Sequence, residues 1–315
     1  RRLLAGLAAF LGLVLLLGVA GYLWVDRGLR RVDALPEYAG RPAAGAGTNW
    51  LIVGSDSRAG TPQEANVRGQ RADTIMLLHV SADGRSRTLV SLPRDSYVAI
   101  PASGATRAQR NKLNAAYALG GGPLLARTVE TATGLRIQRY VEVGFEGFVR
   151  IVDAAGGVRL CLEAPLRDRD SGANFPAGCT QAGGDQALAY VRARKADPLG
   201  DLGRVQRQQR FLAALVDRAT SPGVLLNPPR LVAVGNATLA AVQVDRGMGP
   251  LDLAGFALEM RALARGGGVA TTVPVANPGY AVPGVGSTVL WDRAGAALLF
   301  GELRADRPVP SPGTR

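Results

Sequence analysis

The sequence predicts an α/β protein, a sandwich around a mixed central sheet, placed behind one N-terminal membrane helix. Three observations carry this: a long uncharged N-terminal run, short apolar stretches that end abruptly in charged residues, and strand-like segments alternating with helix-like ones.

The N-terminal run comes first. Residues 3–25 carry no charge, with Arg1 and Arg2 before them and Asp26 and Arg27 after. A helix of that length covers roughly 35 Å, enough to span a bilayer. A cleaved signal peptide is the rival reading, but its apolar core is shorter and needs a small-residue cleavage site, for which Ala20-Gly21 is a weak candidate. Residues 1–27 are therefore expected to be an anchor in the cell membrane, crossing once, with the rest of the chain outside the cytoplasm. Orientation is contested, since Arg27, Arg30 and Arg31 compete with Arg1 and Arg2 under the positive-inside rule. The sequence starts on Arg1 and not on Met, and a basic cytoplasmic leader ahead of it belongs to this expectation.

Residues 28–46 read as a Pro/Gly/Ala linker, 47–306 as the catalytic domain and 307–315 as a frayed tail. Within the domain, residues 49–54 are a buried strand ending in a polar turn, and 59–70 a Gly/Gln/Arg-rich loop. Strands follow at 74–80 and 88–92. Helices are expected at 112–119 and 123–133, the second stopped by Gly134. Next come a strand at 138–143, a helix at 145–155 and a strand at 158–162. Helices at 185–191, 203–219, 229–242 and 251–264, a strand near 269–275 and a strand–helix pair over 288–304 complete the chain.

The two cysteines, Cys161 and Cys179, bracket a Pro/Gly/Asp-rich loop. A bridge there would be worth about 3 kcal/mol by loop-closure entropy and would suit a compartment outside the cytosol; two unconnected buried thiols are the alternative. The net charge is +12, and every basic residue except Lys112 and Lys195 is an arginine. Arginine's planar fork of donors matches phosphate oxygens, although a GC-rich genome gives the same bulk composition. Position must carry the argument.

The one histidine, His79, sits inside an apolar strand and reads as a packed residue, so Ser–His, Cys–His and His-ligand schemes have no second partner. There is no Walker loop. Chemistry therefore falls to carboxylates, guanidiniums and a metal. Asp56 and Arg58 end the first strand, Arg71 and Asp73 open the second, and Arg94 and Asp95 follow the third. Lys112, Asn114 and Tyr117 start a helix. Each pair alone is an ordinary solvated strand cap, but strand ends on one edge of a sheet converge, which is where α/β folds place ligands. Arg192 and Arg194 would point the same way if extended, and Arg204, Arg207 and Gln208 share a helical face continued by Phe211 and Leu215. A buried guanidinium requires an anion. Converging arginines with two carboxylates suggest a pyrophosphate, with Mg²⁺ or Mn²⁺ on Asp56 and Asp73.

These residues resemble the LytR–CpsA–Psr (LCP) cell-wall ligases, in an actinobacterial-like form. The resemblance runs in order through residues 49–58 (NWLIVGSDSR), 71–77 (RADTIML), 91–97 (SLPRDSY), 112–120 (KLNAAYALG) and 187–211 (ALAYVRARKADPLGDLGRVQRQQRF), covering about 48–220. It implies a three-layer α/β/α sandwich whose pocket holds a polyprenyl lipid, decaprenyl or undecaprenyl, with its pyrophosphate at the mouth. It implies Asp56 and Asp73 as Mg²⁺ ligands, and Arg94, Lys112, Arg192, Arg194, Arg204 and Gln208 as the pyrophosphate set. Arg58, Asp95, Asn114 and Arg207 fall on motif positions as well. The implied reaction joins a polyprenyl-pyrophosphate-linked glycopolymer, such as arabinogalactan or teichoic acid, to a muramic acid hydroxyl of peptidoglycan through a phosphodiester. Arg94, Asp73, Asp95 and Arg204 would be the catalytic residues, with Asp73 and Asp95 both candidates for the base. One departure is the loop 59–70, longer than in some members. An apolar tunnel lined by helices 124–133, 145–155 and 203–219 is expected for the lipid, and residues after 221 are expected to complete the core.

Two rivals share the site: a pyrophosphatase using water as acceptor, and a non-catalytic lipid or glycan sensor. A nucleic-acid module is disfavoured, because the basic clusters lack interleaved stacking aromatics.

Overall fold

The computed structural model describes residues 2–56, 71–104, 106–193 and 201–310, with 201–206 as backbone only. Helix α1 (Arg2–Gly28) is apolar and has no buried residue. Strand β1 (Arg30–Val32) follows, then β2 (Thr48–Ser55), β3 (Ala72–Val80) and β4 (Arg87–Ser91). A small hairpin of β5 (Tyr97–Ile100) and β6 (Gln109–Lys112) leads into α2 (Leu113–Thr133). This helix is broken at Gly120 and Gly121, the latter at φ +61°, so the two expected helices meet at a kink. Gly134, at φ +69°, ends it in the left-handed conformation that glycine adopts without strain.

Strand β7 (Arg139–Gly144) and α3 (Phe145–Ala154) come next, then short strands β8 (Val158–Leu162), β9 (Leu166–Asp168), β10 (Ala173–Phe175) and β11 (Gly178–Ala182). Helices α4 (Gly184–Arg192), α5 (Asp201–Ala219), α6 (Pro222–Leu225) and α7 (Pro228–Ala241) precede β12 (Val242–Asp245). The chain closes with α8 (Pro250–Ala264), β13 (Val269–Thr272), the hairpin β14 (Val275–Val282) and β15 (Gly286–Trp291), and α9 (Arg293–Arg304).

The central sheet runs β1-β12-β7-β2-β3-β4-β13 and is mixed. Strands β2/β7, β4/β13 and β1/β12 pair parallel; β2/β3, β3/β4 and β7/β12 pair antiparallel. Both faces of the middle strands are covered, which is why β2 and β3 read as near-continuous apolar runs. Trp50, Ile52, Met76 and Leu78 face α3, α4, α5 and α8, whereas Leu51, Val53, Ile75 and Leu77 face α2 and α9. The result is the expected α/β/α sandwich.

Three sequence readings need adjustment. Inside the stretch expected as a linker, β1 forms the sheet's edge strand, and Arg41 makes a buried ion pair with Glu130 at 3.0 Å. Glu130 also accepts from the Tyr38 hydroxyl and the Ile137 N–H, so this segment is bound to α2 and not free. Strand β12 was hidden at the end of a helical reading, because Val242 and Val244 continue the apolar character of α7. Helix 124–133 lies on the opposite face of the sheet from 145–155 and 203–219, so these three cannot line one tunnel.

Cys161 and Cys179 stand directly opposite each other across β8 and β11 and are bonded. His79 is a packed residue, as expected: Nδ1 lies 2.8 Å from Asn49 Oδ1 and Nε2 lies 3.0 Å from Asp306 Oδ1, just after α9. Gly47 lets the ring in, since a Cβ there would sit 2.5 Å from His79 Cε1.

Two stability predictions follow from these contacts. Cys161→Ser with Cys179→Ser should lower the unfolding free energy in urea by about 3 kcal/mol, relative to the oxidised chain. Burial lowers the His79 pKa, with Asp306 opposing the shift, so the neutral ring is the form the fold prefers. Its contribution is present above the unfolded value near 6.5 and is lost as the pH falls through the lower folded value. A Tm profile should therefore drop as the pH falls from about 6.5 towards the lower folded value, and His79→Gln should flatten this part of the drop.

Candidate active site

The pairing registers bring the C-terminal ends of β2, β4, β7 and β13 and the N-terminal end of β3 to one edge of the sheet. Between β2 and β3 the register shifts: Gly54 lies opposite Thr74 and Ser55 opposite Ala72, leaving Asp73 as the extra residue. Such a bulge bends the strand and re-aims a side chain. Asp56 follows Ser55 on the neighbouring strand end, and its carboxylate accepts the Arg71 N–H.

The turn after β4 supplies the cations' frame. Arg94 Nη1 donates to Asp73, while its Nε lies 3.4 Å from Asp95 Oδ2. Lys112 Nζ is 3.0 Å from Asp95 Oδ1. Asp73, Arg94, Asp95 and Lys112 thus form a continuous chain of alternating charge, all half-buried. The backbone holds this chain in place: the Asn114 N–H donates to Arg94 O at 2.9 Å, and the Val289 N–H donates to Asp95 O at 2.8 Å. Trp291 Nε1 fixes the Ser96 hydroxyl at 2.8 Å.

Beneath the edge lies a residue that sequence reasoning missed. Glu142, on β7, is 4% exposed and accepts from three hydroxyls: Ser55 at 2.7 Å, Tyr140 at 2.6 Å, and Tyr117. Burial, and then the charge of Glu142, pushes the Tyr140 hydroxyl well above its ordinary pKa, so it stays a donor. This network ties β2, β7 and α2 together next to Asp56. The available signal was a glutamate at a strand position in register with the buried Tyr140.

On the other layer, Gln209 Nε2 bonds Ser91 Oγ at 2.8 Å and Thr271 O at 2.9 Å, which docks α5 on the C-terminal ends of β4 and β13. Gln208 Nε2 reaches Val191 O at 3.4 Å, at the end of α4. Arg207 is nearly buried, and its Nη2 donates to Ala193 O at 2.6 Å, so it clamps the junction between α4 and α5. Arg192 is exposed at the end of α4, with its guanidinium 5.6 Å from the Phe145 ring centre, where α3 leaves β7. The structure therefore brings Asp56, Asp73, Arg94, Asp95, Lys112, Asn114, Arg192 and Gln208 towards one edge. Arg58 and Arg194 lie outside the described residues. Arg204 lies on α5, in the part described as backbone only.

Asp56 and Asp73 offer oxygen-only ligation on adjacent strand ends. Among the described residues no group of three or more His, Cys, Asp or Glu could hold a metal ion. Two carboxylates would fill part of a six-oxygen shell, leaving room for phosphate oxygens and water, which suits Mg²⁺ or Mn²⁺ more than a closed protein cage.

The fold and this edge define an α/β protein with an acid–base cluster at the ligand-binding end of a mixed sheet. The chain belongs to the LytR_cpsA_psr family, which it matches over residues 33–284. It is 45% identical over 309 residues to the probable cell wall biosynthesis protein LcpB of Corynebacterium glutamicum, covering 96% of this chain and 70% of LcpB. The cell wall biosynthesis protein LcpA of the same organism is 37% identical over 75% of this chain and 51% of its own length. TagU of Bacillus mycoides, a polyisoprenyl-teichoic acid–peptidoglycan teichoic acid transferase, is 39% identical over 54% of this chain and 52% of its own length. The chain thus spans about half the length of LcpA, and the alignment to TagU is likewise partial. Among solved structures, the LytR-Csp2A-Psr enzyme from Actinomyces oris superposes with a TM-score of 0.66 at 23% identity, covering 87% of this chain and 95% of that one. TagT bound to LI-WTA gives 0.61 at 23% identity, covering 89% and 97%. These structures share the fold.

Glu142→Leu should leave three buried hydroxyls without their shared acceptor and lower the unfolding free energy by about 2–4 kcal/mol in urea. Glu142→Gln, which keeps an acceptor oxygen, should cost less.

Proposed function

We propose that the protein is a phosphotransferase that joins a polyprenyl-pyrophosphate-linked glycopolymer to peptidoglycan, acting outside the cytoplasm from a membrane anchor formed by α1. The observation that carries this reading is the chain Asp73–Arg94–Asp95–Lys112 at converging strand ends. It holds two cations ready at the place where an α/β sheet receives a ligand, each paired with a carboxylate that an incoming diphosphate would replace. Membership of the family, and the cell-wall roles named for LcpB, LcpA and TagU, support it.

In this mechanism Arg94 and Lys112 bind the diphosphate, joined by Arg192 and by Arg58, Arg194 and Arg204. The Arg94 fork orients the phosphate, and the fixed cations take up negative charge as it develops on the bridging oxygen. A hydroxyl of peptidoglycan muramic acid attacks the sugar-side phosphorus. A new P–O bond forms, the bridging P–O bond breaks, and polyprenyl phosphate leaves with the bond electrons. The hydroxyl proton passes to Asp73 or Asp95, two carboxylates that the Arg94 guanidinium bonds. Asp56 and Asp73 would hold Mg²⁺ or Mn²⁺, which when bound supplies further charge neutralisation on the diphosphate.

The test is to incubate the full chain in detergent or nanodiscs with a polyprenyl-pyrophosphate glycan and peptidoglycan fragments, with Mg²⁺ or EDTA, and to follow products by mass spectrometry. The expected product is a glycan–phosphate–muropeptide adduct that forms with Mg²⁺, fails with EDTA and falls at least about 100-fold in Arg94→Ala. Phosphorylated glycan released without an adduct would show water to be the acceptor, and full activity in Arg94→Ala would overturn the assigned site.

A further inference from the structure

The segment after residue 221 was expected only to complete the core, yet much of its surface near α6 and α7 is bare and apolar. Between Arg218 and Asp245 the only charged residue is Arg230. On α6 and α7 and the turn joining them, Leu226 is 82% exposed, Val232 50%, Leu225 46% and Leu231 41%. Arg230 itself is half-buried, with its guanidinium carbon 3.7 Å from the position a Cβ on Gly156 would take, so it is turned against the end of α3. An exposed apolar corner of this kind calls for a partner.

The neighbouring helix identifies that partner. Helices α1 and α7 touch at two places, one turn apart on each. Trp24 packs on Gly235, where an added Cβ would lie 2.2 Å from the indole, and Leu239 packs on Gly28, where it would lie 2.7 Å from Leu239 Cδ1. Trp24 pairs with Gly235 and Gly28 with Leu239, so the helices run parallel. One further turn down α7 brings Leu231 and Val232 level with Ala20 and Gly21 of α1, and the start of α7 at Pro228 level with Leu17. Leu225 and Leu226 lie on α6 and the turn before that start. All these levels fall within the uncharged run of α1 at residues 3–25. At 1.5 Å per residue, the start of α7 is about 12 Å below Val25. Interfacial helices sink their apolar faces about 5–10 Å into a membrane.

Charge changes at the matching height. Above the apolar levels stand Arg27, which is exposed, and Arg30, both lining an open groove of about 770 Å³ between α1 and α7 with Leu23, Trp24 and Leu239. The acid at that height, Asp26, is paired with Arg31. An apolar floor below a rim of arginines matches acyl chains below anionic headgroups.

We propose that the corner formed by α6 and the first turns of α7 inserts into the outer leaflet of the anionic bilayer that α1 crosses, so that the domain is held against the membrane at two points. This rests on the reading of α1 as a membrane span. Two contacts would fix the tilt of the domain, whereas a lone helix would leave it free to swivel.

The test uses the full chain in phosphatidylglycerol vesicles containing doxyl-labelled lipid. The disulfide leaves a single reactive thiol in each of Leu226→Cys, Val232→Cys and, as reference, Leu13→Cys within α1; each is labelled with an environment-sensitive fluorophore. Insertion predicts blue-shifted emission and doxyl quenching at Leu226 and Val232, to at least about half the extent seen at Leu13, as expected for groups at acyl depth. Water-like emission at both, with Leu13 quenched, would overturn the inference and leave the anchor standing. Blue-shifted emission that rises with protein density and ignores the doxyl lipid would assign the corner to a second copy of the chain and also overturn it. An unquenched Leu13 would remove the anchor, and the inference with it.

Discussion

The pairing of β2 with β3, and the bulge that ends it, is the constraint on which the rest of the site depends. Because β3 runs antiparallel to both β2 and β4, while β7 runs parallel to β2, four strand ends meet at one edge, and those of β2, β3 and β4 carry charged residues. The bulge leaves Asp73 as the unpaired residue of β3, where the Arg94 guanidinium meets it. A one-residue slip in this register would exchange the two faces of β3, sending Ile75 and Leu77 to the wrong core. The hydrophobic pattern that stabilises the sheet therefore also fixes where the charges stand.

Around that edge the molecule adds polar supports. The turn after β4 is held by backbone bonds from Asn114 and Val289, and α5 is docked on β4 and β13 by Gln209. Glu142 joins Ser55, Tyr117 and Tyr140 underneath. A carboxylate buried with three hydroxyl donors is far less costly than one left bare, and its loss would loosen two strands and a helix together. Side chains that would meet substrate are thus carried by elements whose own positions are overdetermined.

Much of this was legible in the residues. Apolar runs at 49–54 and 74–80 were bounded by charges, and both became central strands with those charges at one edge. The helix beginning at Phe145 and the stop at Gly134 followed from periodicity and glycine, and the helix read as ending at Ala219 ends there. Strand β1, only three residues long, was not legible, since Arg30 and Arg31 resemble a basic flank more than a strand, and its pairing with β12 is a contact over some two hundred residues. The placement of helix 124–133 on the opposite face from α3 and α5 depends on a crossover that local pattern does not record. Glu142 was passed over because one acid in an alternating strand reads as its solvated side; only the closing of α2 over β7 makes it buried. The apolar corner after Ser221 was visible as composition, but composition alone does not separate core from exposed surface.

The central claim is that the diphosphate of a polyprenyl donor sits on Arg94 and Lys112 at this sheet edge. A crystal structure with a short-chain polyprenyl pyrophosphate bound tests it most directly. The account predicts phosphate oxygens within hydrogen-bond distance of the Arg94 guanidinium and the Lys112 ammonium, with the Asp73–Arg94 pair opened. A diphosphate bound elsewhere, with the chain from Asp73 to Lys112 intact, would contradict it.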